Sequence, residues 1–166
     1  MSPHKNIRQF FFPALTPKFL IRVSIVAVMA YLFFGYVCTP LILEGTSMEP
    51  TYRNGSINFC WKWRFFYSKP KRFEVVAVRL AGSSVMLLKR VVALEGEQVE
   101  FRQGRLFVDG KEVDEPYVRY TCHWNLPPRK VEKGCLYVIG DNRNMPIESH
   151  FLGQTSAKRI VGVPLW

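Results

Sequence analysis

The longest uncharged stretch, residues 23–43, most constrains how this 166-residue chain can fold. It is rich in Val, Ile, Ala, Leu, Phe, Tyr and Met. A helix rises about 1.5 Å per residue, so this stretch can cross a hydrocarbon core of roughly 30 Å. It exceeds the h-region of a cleaved signal peptide, which is about 7–15 residues, and no A-x-A-like site closes it. We therefore predict a retained transmembrane anchor at residues 19–40, ending near Pro40, rather than a removed signal or a buried soluble helix.

The charges that flank this stretch predict its orientation. Four basic residues and no acidic residue precede it: Lys5, Arg8, Lys18 and Arg22. The acidic residues Glu44 and Glu49 follow it closely. Because basic flanks stay on the cytoplasmic side, we predict a basic tail at residues 1–18 that faces the cytoplasm or matrix. The main domain, residues 41–166, is then predicted to lie across the bilayer.

The net charge of +10 favours an anionic partner. An anionic membrane surface and a nucleic acid both meet this requirement. Residues 61–67 interleave basic and aromatic side chains, which suits the headgroup zone of a bilayer. A strand edge with solvated basic side chains explains the segment almost as well, whereas no motif supports a base-stacking platform. We predict a lipid bilayer as a partner and no nucleic acid.

The main domain is predicted to be mainly β. Short runs rich in Val, Ile, Leu and Phe predict strands at residues 73–79, 85–93, 98–101, 106–108, 111–113, 135–139 and 160–163. Gln103-Gly104 and Asp109-Gly110 predict tight hairpin turns between three of these strands. No long amphipathic helix follows residue 44. The chain has room for one compact domain beside the anchor and not for two.

The four cysteines and three histidines form no metal-binding pattern. Cys38 is predicted to lie in the anchor as a small apolar residue. Cys122 and Cys135 flank a proline-rich loop at residues 123–134, and outside the cytoplasm they form either a disulfide or two free thiols. The chain has no CxxC motif, and its histidines are scattered along the sequence. We predict neither a metal nor a cofactor.

A serine after the anchor and a lysine on an apolar strand are the candidate catalytic pair. Serine needs a base to act as a nucleophile, and no histidine here has an obvious partner for that role. Alternate residues of a strand share a face, so either Lys89 or Arg90 must point into apolar surroundings. Burial lowers the pKa of a lysine, and a neutral amine can deprotonate Ser47, whereas arginine stays protonated. On these residues alone, a snorkelling lysine and a serine in an ordinary turn remain the favoured interpretation.

Three blocks, in order, resemble the signal peptidase I family and its mitochondrial inner-membrane relatives. Residues 45–51, Gly-Thr-Ser-Met-Glu-Pro-Thr, are similar to the family's nucleophile block, Ser-Met-x-Pro-Thr. Residues 88–97 resemble its lysine block, Lys-Arg-Val-x-x-x-x-Gly-[Asp/Glu], and residues 140–143 match Gly-Asp-Asn-x. Residues 73–78 also resemble the strand that precedes the lysine. The likeness extends over residues 45–153.

The resemblance implies a signal-peptidase-like β-rich fold and a membrane-bound serine endopeptidase that removes signal peptides from translocated preproteins. It implies Ser47 as nucleophile and Lys89 as general base, with the backbone N–H of Ser47 as an oxyanion donor. Met48 would line the substrate pocket. Some branches of the family place a second oxyanion donor, a serine hydroxyl, where this chain has Gly45. We favour a bacterial plasma membrane over a mitochondrial inner membrane.

The last block departs from the family pattern, which usually continues as Gly-Asp-Asn-x-x-x-Ser-x-Asp-Ser-Arg. Pro146 stands where a serine hydroxyl normally helps to orient the lysine. Glu148 replaces aspartate and His150 replaces arginine. Another hydroxyl or a water would have to take over the support of the lysine. Three implied supporting residues remain: Asp141, Arg143 and Ser149.

Other functions keep part of this pattern. A pilin-processing peptidase of a conjugative transfer system would use the same dyad on a different substrate. A catalytically inactive, membrane-tethered binding protein would fit the altered residues 146–150. A nucleic-acid-binding module would bind with a steep salt dependence. Self-cleaving LexA-type repressors also use a Ser–Lys pair, but they have a DNA-binding domain and no anchor.

Overall fold

The computed structural model describes residues 15–80, 86–120, 122–150 and 153–166. The chain divides into two compact units, Met1–Val37 and Cys38–Trp166. In the first unit, helix α1 spans Pro17–Leu32 and continues as a π-helical turn at Phe33–Val37. The Thr16 hydroxyl caps the start of α1 by accepting a hydrogen bond from the backbone N–H of Phe19. The 21 residues from Pro17 to Val37 are long and apolar enough to cross a membrane.

The end of the helix differs from the predicted end of the anchor. The helix ends at Val37, three residues before the predicted bound, and Cys38 lies buried in a strand rather than in the anchor. The reason is strand pairing, because Cys38 lies opposite Trp61 in an antiparallel ladder. Pro40 lies within the same strand, which is at the edge of its sheet, where a missing backbone N–H is tolerated.

Two antiparallel sheets make up the second unit, and the prediction of a mainly β fold is confirmed. The first sheet is built from β1 (Cys38–Ile42), β2 (Ile57–Trp61), β3 (Val75–Arg79), β4 (Met86–Ala93), β9 (Cys135–Ile139), β10 (Gly153–Ser156) and β11 (Ile160–Pro164). Its strand order is β1-β2-β11-β3-β4-β9-β10. The second sheet contains β5 (Gln98–Arg102), β6 (Arg105–Val108), β7 (Lys111–Glu112) and β8 (Leu126–Lys130), in the order β7-β6-β5-β8. Helix α2 (Arg64–Tyr67) is a single turn, and 3-10 turns lie at Ile147–Ser149 and Ala157–Arg159.

The two predicted hairpins are confirmed. Two-residue loops join β5 to β6 and β6 to β7, since Arg102 lies opposite Arg105 and Val108 opposite Lys111. All four loop residues, Gln103, Gly104, Asp109 and Gly110, have positive φ angles between 49° and 79°. Positive φ at both positions defines the type I′ turn, whose twist matches that of the flanking strands.

Four strands were not predicted, namely β1, β2, β8 and β10. The prediction of a loop over residues 123–134 is wrong, because β8 lies within it and pairs with β5. Pro127 and Pro128 hide this strand in the sequence, and their position on an edge strand explains why they are tolerated. The sequence of β10, Gly-Gln-Thr-Ser, has no apolar alternation to reveal it.

Strand β4 lies inside the first sheet and is buried on both faces. From Leu88 to Ala93 every residue is buried. One face contributes Val92 to the largest core cluster, together with Phe101 and Leu106 of the second sheet. Lys89 and Arg90, successive residues on opposite faces of β4, are therefore both taken out of water.

Candidate active site

Lys89 and Ser47 meet in a direct hydrogen bond. The turn that follows β1 carries Ser47, and the Lys89 side chain rises from β4. The Lys89 Nζ and Ser47 Oγ atoms are 2.8 Å apart. Lys89 is only 2% exposed, whereas Ser47 is half-buried. The two residues proposed from the sequence as a pair therefore contact each other at a distance suited to proton transfer.

Burial lowers the pKa of Lys89 from its ordinary value to about 8. The nearby carboxylate of Asp141 favours the ammonium form and opposes this shift, but the loss of hydration outweighs it. A lysine with this pKa has a substantial neutral fraction at slightly alkaline pH. It can therefore accept the proton of a serine hydroxyl, which an exposed lysine with a pKa near 10.4 would rarely do.

The second buried cation of β4, Arg90, is paired with Asp141. The guanidinium donates to both carboxylate oxygens, with Nε to Oδ1 at 2.8 Å and Nη2 to Oδ2 at 2.5 Å. It also donates to the carbonyl of Phe73 at 2.7 Å and lies over the Tyr117 ring, 3.9 Å from its centroid. The Thr51 hydroxyl donates to the same carboxylate at 2.6 Å. Asp141 is thus fully occupied in neutralising Arg90.

The loop at residues 140–143 holds the turn that carries Ser47. The backbone N–H of Asn142 donates to the Ser47 carbonyl at 2.9 Å, and its side-chain amide donates to the Thr46 carbonyl at 3.0 Å. The approach at Gly140 is so close that a Cβ atom there would lie 2.2 Å from the Ser47 carbonyl oxygen. Only glycine fits this position, which explains the first residue of the Gly-Asp-Asn-Arg block.

Arg143 connects this loop to Glu115. It is 1% exposed, and its two terminal nitrogens donate to the Glu115 carboxylate at 2.7 and 2.5 Å. Its Nε donates to the Gly140 carbonyl at 3.0 Å. Sequence analysis named Arg143 as a supporting residue but missed Glu115 and Tyr117. Neither of these two residues carries a local sequence signal, because they meet their partners only through the fold.

The altered segment at residues 146–150 contains a 3-10 turn at Ile147–Ser149. Pro146 and Ser149 are both exposed, and the Ser149 hydroxyl makes no hydrogen bond to any other described residue. In the part of the chain that the structure describes, Ser149 therefore makes no hydrogen bond to Ser47 or Lys89 that would support its predicted role. The reason is the 3-10 turn at Ile147–Ser149, which turns His150 inward instead.

His150 is buried against Trp124, with ring centroids 4.7 Å apart. Its Nε2 lies 2.8 Å from the carbonyl oxygen of Asn142, which can only accept a hydrogen bond, so Nε2 carries the proton. Burial, followed by the positive charge of Lys89, lowers the pKa of His150 to about 4. His150 is therefore a neutral donor that fixes Asn142, and through Asn142 the Ser47 turn. Sequence analysis noted His150 only as a replacement for arginine.

A small cavity lies beside Ser47. Its volume is about 20 Å³, and it is lined by Ser47, Met48, Met86 and Leu88 among others. A water-sized group occupies about 10–15 Å³ on the same measure, so the cavity admits little more than a methyl group. Met48 is 4% exposed and forms part of this lining, as the family resemblance implies. The backbone N–H of Ser47 donates to no other described residue.

The cysteines are free thiols. Cys122 and Cys135 are half-buried and unbridged, so the structure has the thiol form of the two alternatives. Burial raises the pKa of Cys60 to about 11, which makes it an unreactive thiol. Within residues 15–80, 86–120, 122–150 and 153–166, no three His, Cys, Asp or Glu side chains are grouped so that they could hold a metal ion.

A protein-family model described as signal peptidase, peptidase S26, matches residues 17–165. The chain belongs to this family. It is 31% identical over 151 residues to signal peptidase I of Bacillus licheniformis, which covers 84% of this chain and 81% of that protein. It is 33% identical over 135 residues to signal peptidase I V of Bacillus subtilis strain 168, which covers 73% and 80% of the two chains.

The chain is also similar to a chloroplast protein and to a solved structure. Thylakoidal processing peptidase 1 of Arabidopsis thaliana is 32% identical over 145 residues, 81% of this chain and 43% of that longer protein. A solved signal peptidase I from Enterococcus faecalis V583 aligns with a TM-score of 0.47 and 26% identity, over 58% of this chain and 97% of that one. The S26 membership makes this chain a signal peptidase I-type protease.

The lowered pKa of Lys89 predicts the pH dependence of this peptidase. With a substrate that has no titrating group, kcat/KM should rise with pH through about 8 and level off above it, because only neutral Lys89 can accept a proton. Measurement on the full-length protein in detergent checks this. A rise centred below pH 6, or near the ordinary lysine value of about 10.4, would contradict it.

Asp141→Asn should both weaken the fold and shift this pH profile. The substitution leaves Arg90 buried without its counter-charge, which we expect to cost about 3–5 kcal/mol of unfolding free energy. It also removes the charge that raises the pKa of Lys89, so the rise in kcat/KM should move to lower pH. Denaturant unfolding and the pH profile are the two measurements.

The matched control is Glu112→Gln, because Glu112 and Arg105 form an ion pair with both side chains at least half exposed. An exposed pair contributes only about 0–1 kcal/mol. Equal stability of the two variants would show that the Arg90–Asp141 pair does not hold this site together.

Proposed function

We propose that this protein is a membrane-bound serine endopeptidase that removes signal peptides from translocated preproteins by a Ser47–Lys89 dyad. The observation that carries the proposal is the 2.8 Å contact between Lys89 Nζ and Ser47 Oγ at a site where the lysine is 2% exposed. Burial favours the neutral amine, and the amine is already in contact with the hydroxyl that it would deprotonate. Sequence similarity to signal peptidase I proteins supports the substrate class.

Acylation begins as Ser47 Oγ attacks the scissile carbonyl carbon while Lys89 Nζ takes the hydroxyl proton. The tetrahedral intermediate carries a negative charge on the former carbonyl oxygen, which the free backbone N–H of Ser47 would stabilise. The C–N bond then breaks, and the lysine ammonium gives its proton to the leaving amine. The products of this step are the free mature N-terminus and an ester on Ser47.

Deacylation repeats the same transfers with water. Neutral Lys89 takes a proton from a water molecule, whose oxygen attacks the ester carbonyl. Collapse of the intermediate breaks the bond to Ser47 Oγ, and the lysine returns the proton to that oxygen. The cavity of about 20 Å³ beside Ser47 supports a preference for small side chains on the acyl side of the cut.

The supporting residues act at a distance from the reacting atoms. Asp141 neutralises Arg90, and Arg143 with Glu115 anchors the loop that holds the Ser47 turn. Through these contacts they would keep the nucleophile and the base in register. Their proposed role is positioning, because none of these three side chains forms a hydrogen bond with Ser47 Oγ or Lys89 Nζ.

We further propose a single-pass topology in a bacterial plasma membrane. The apolar helix at Pro17–Val37 would span the bilayer, with its basic N-terminal flank inside and residues 38–166 on the outer side. The Bacillus relatives support this compartment. Helix α2 would contact the outer headgroup zone, since Trp63, Phe66 and Tyr67 are 45%, 85% and 81% exposed.

Loss of either member of the dyad should abolish processing. Ser47→Ala removes the nucleophile, and Lys89→Ala should lower kcat by about 10²–10⁴, the contribution of a positioned general base. Lys89→Arg should be as inactive, because arginine stays protonated. The assay is cleavage of a reporter preprotein in detergent micelles or vesicles, with Lys111→Ala on the exposed strand β7 as the control.

Labelling of Ser47 by a serine-reactive lactam inhibitor separates the alternatives. A folded wild-type protein that is neither labelled nor active would be the inactive binding protein. Labelling without cleavage of any signal peptide would instead favour a substrate such as pilin. Full activity of Ser47→Ala or Lys89→Ala would rule out the dyad.

The membrane contact of α2 predicts a substrate-dependent defect. Phe66→Glu with Tyr67→Glu should slow cleavage of a preprotein embedded in vesicles by several fold, because acidic side chains are repelled by anionic headgroups. Cleavage of a short soluble peptide should be unchanged. Tyr120→Glu, at another exposed aromatic residue, is the control. An equal effect on both substrates would indicate damage to the fold instead.

A further inference from the structure

A second cavity lies next to the cavity beside Ser47 and includes Lys89 in its lining. It has a volume of about 130 Å³ and is lined by Lys89, Arg79 and Arg159 among others. Arg79 ends β3, and Arg159 immediately precedes β11, the neighbouring strand. Leu87 lines both this cavity and the one beside Ser47, so the two are adjacent. Ser47 contributes to the first cavity and Lys89 to the second.

The two guanidinium groups in this cavity have no counter-charge within the protein. Neither Arg79 nor Arg159 forms an ion pair with any acidic side chain of the described chain. All 13 Asp and Glu residues fall within the described segments. Both arginines are exposed, while Lys89 at the base of the cavity is buried. The cavity is therefore positively charged and open to a ligand from solution.

The chemistry of cleavage decides which half of the substrate reaches this cavity. The leaving amine must take its proton from Lys89, so the peptide that follows the cut departs on the lysine side. The acyl half stays bound to Ser47, whose own cavity does not include Lys89. On the proposed mechanism, the first residues of the mature protein would therefore pass the cavity that Lys89 shares with Arg79 and Arg159.

We propose that this cavity is a subsite for a carboxylate side chain within the first three residues after the cut, with Arg79 and Arg159 as its specificity-determining residues. A planar guanidinium suits this ligand because it can donate two parallel hydrogen bonds to one carboxylate. This inference rests on the proposed peptidase function. It adds a preference on the mature side of the substrate to the preference for small side chains on the acyl side.

The cleavage test uses full-length protein in detergent and peptides that differ only by Asp, Asn or Lys at each of the first three positions after the cut. Wild-type protein should cleave the best Asp peptide about fivefold faster in kcat/KM than its Asn counterpart, the size expected for one exposed ion pair. Raising the salt concentration from about 0.05 to about 0.5 M shortens the screening length roughly threefold and should reduce this ratio.

Substitutions assign the preference to the two arginines. The Asp-to-Asn ratio should fall towards one in Arg79→Gln with Arg159→Gln, and Arg79→Glu with Arg159→Glu should favour the Lys peptide. Lys158→Gln is the matched control, because it removes a neighbouring exposed charge that does not line the cavity. It should leave the ratio unchanged.

A binding measurement keeps this inference separate from the proposed function. Fluorescence anisotropy of labelled mature-side peptides on Ser47→Ala should show the same preference for Asp, and the double Arg→Gln change should remove it. Binding preference without any cleavage by wild-type protein would support the subsite and overturn the peptidase function. Cleavage of the Asn and Asp peptides at equal rates, or an Asp preference that survives in the double variant, would overturn the subsite.

Discussion

Two adjacent cations on a strand buried on both faces set the physical problem that the rest of this site solves. Taking a charged group out of water costs several kcal/mol, and here Lys89 and Arg90 are 2% and 9% exposed. Arginine cannot lose its proton, so Arg90 requires a carboxylate, and Asp141 supplies both oxygens to it. Lysine can lose its proton, and burial lowers its pKa to about 8. The charge of Asp141 also raises the pKa of Lys89, but by less than burial lowers it.

The position of Asp141 in the chain connects this charge balance to Ser47. Its neighbours Gly140 and Asn142 contact the backbone of Ser47, one by close packing and the other by a hydrogen bond. One loop therefore contacts both the strand that carries Lys89 and the turn that carries Ser47. Arg143, paired with Glu115, holds the same loop to the segment that follows β7. The distance between Lys89 and Ser47 depends on all four residues of the Gly-Asp-Asn-Arg block.

The features that sequence could predict are the local ones. The tight turns, β3, β4, β9 and β11 follow from apolar runs and from Asn/Asp/Gln-Gly pairs whose conformation depends on their own residues. Three edge strands were not predicted, namely β1, β8 and β10. They contain proline or lack apolar alternation, and they form because they pair with neighbouring strands. Alternation along β4 predicted that one of the two cations would be buried. Both cations are buried, because the residues that cover each face of β4 belong to strands and loops distant in sequence. One of these is the loop that carries Glu115 and Tyr117.

The same dependence on distant contacts explains the departures at residues 146–150. A hydroxyl that accepted a hydrogen bond from the Lys89 ammonium would stabilise the charged form and would raise the pKa of Lys89. An arginine at position 150 would place a permanent positive charge near Lys89 and would lower it. This chain has neither group, since Pro146 is exposed and His150 is a neutral donor to Asn142. Burial in β4 is therefore the main cause of the lowered pKa of Lys89.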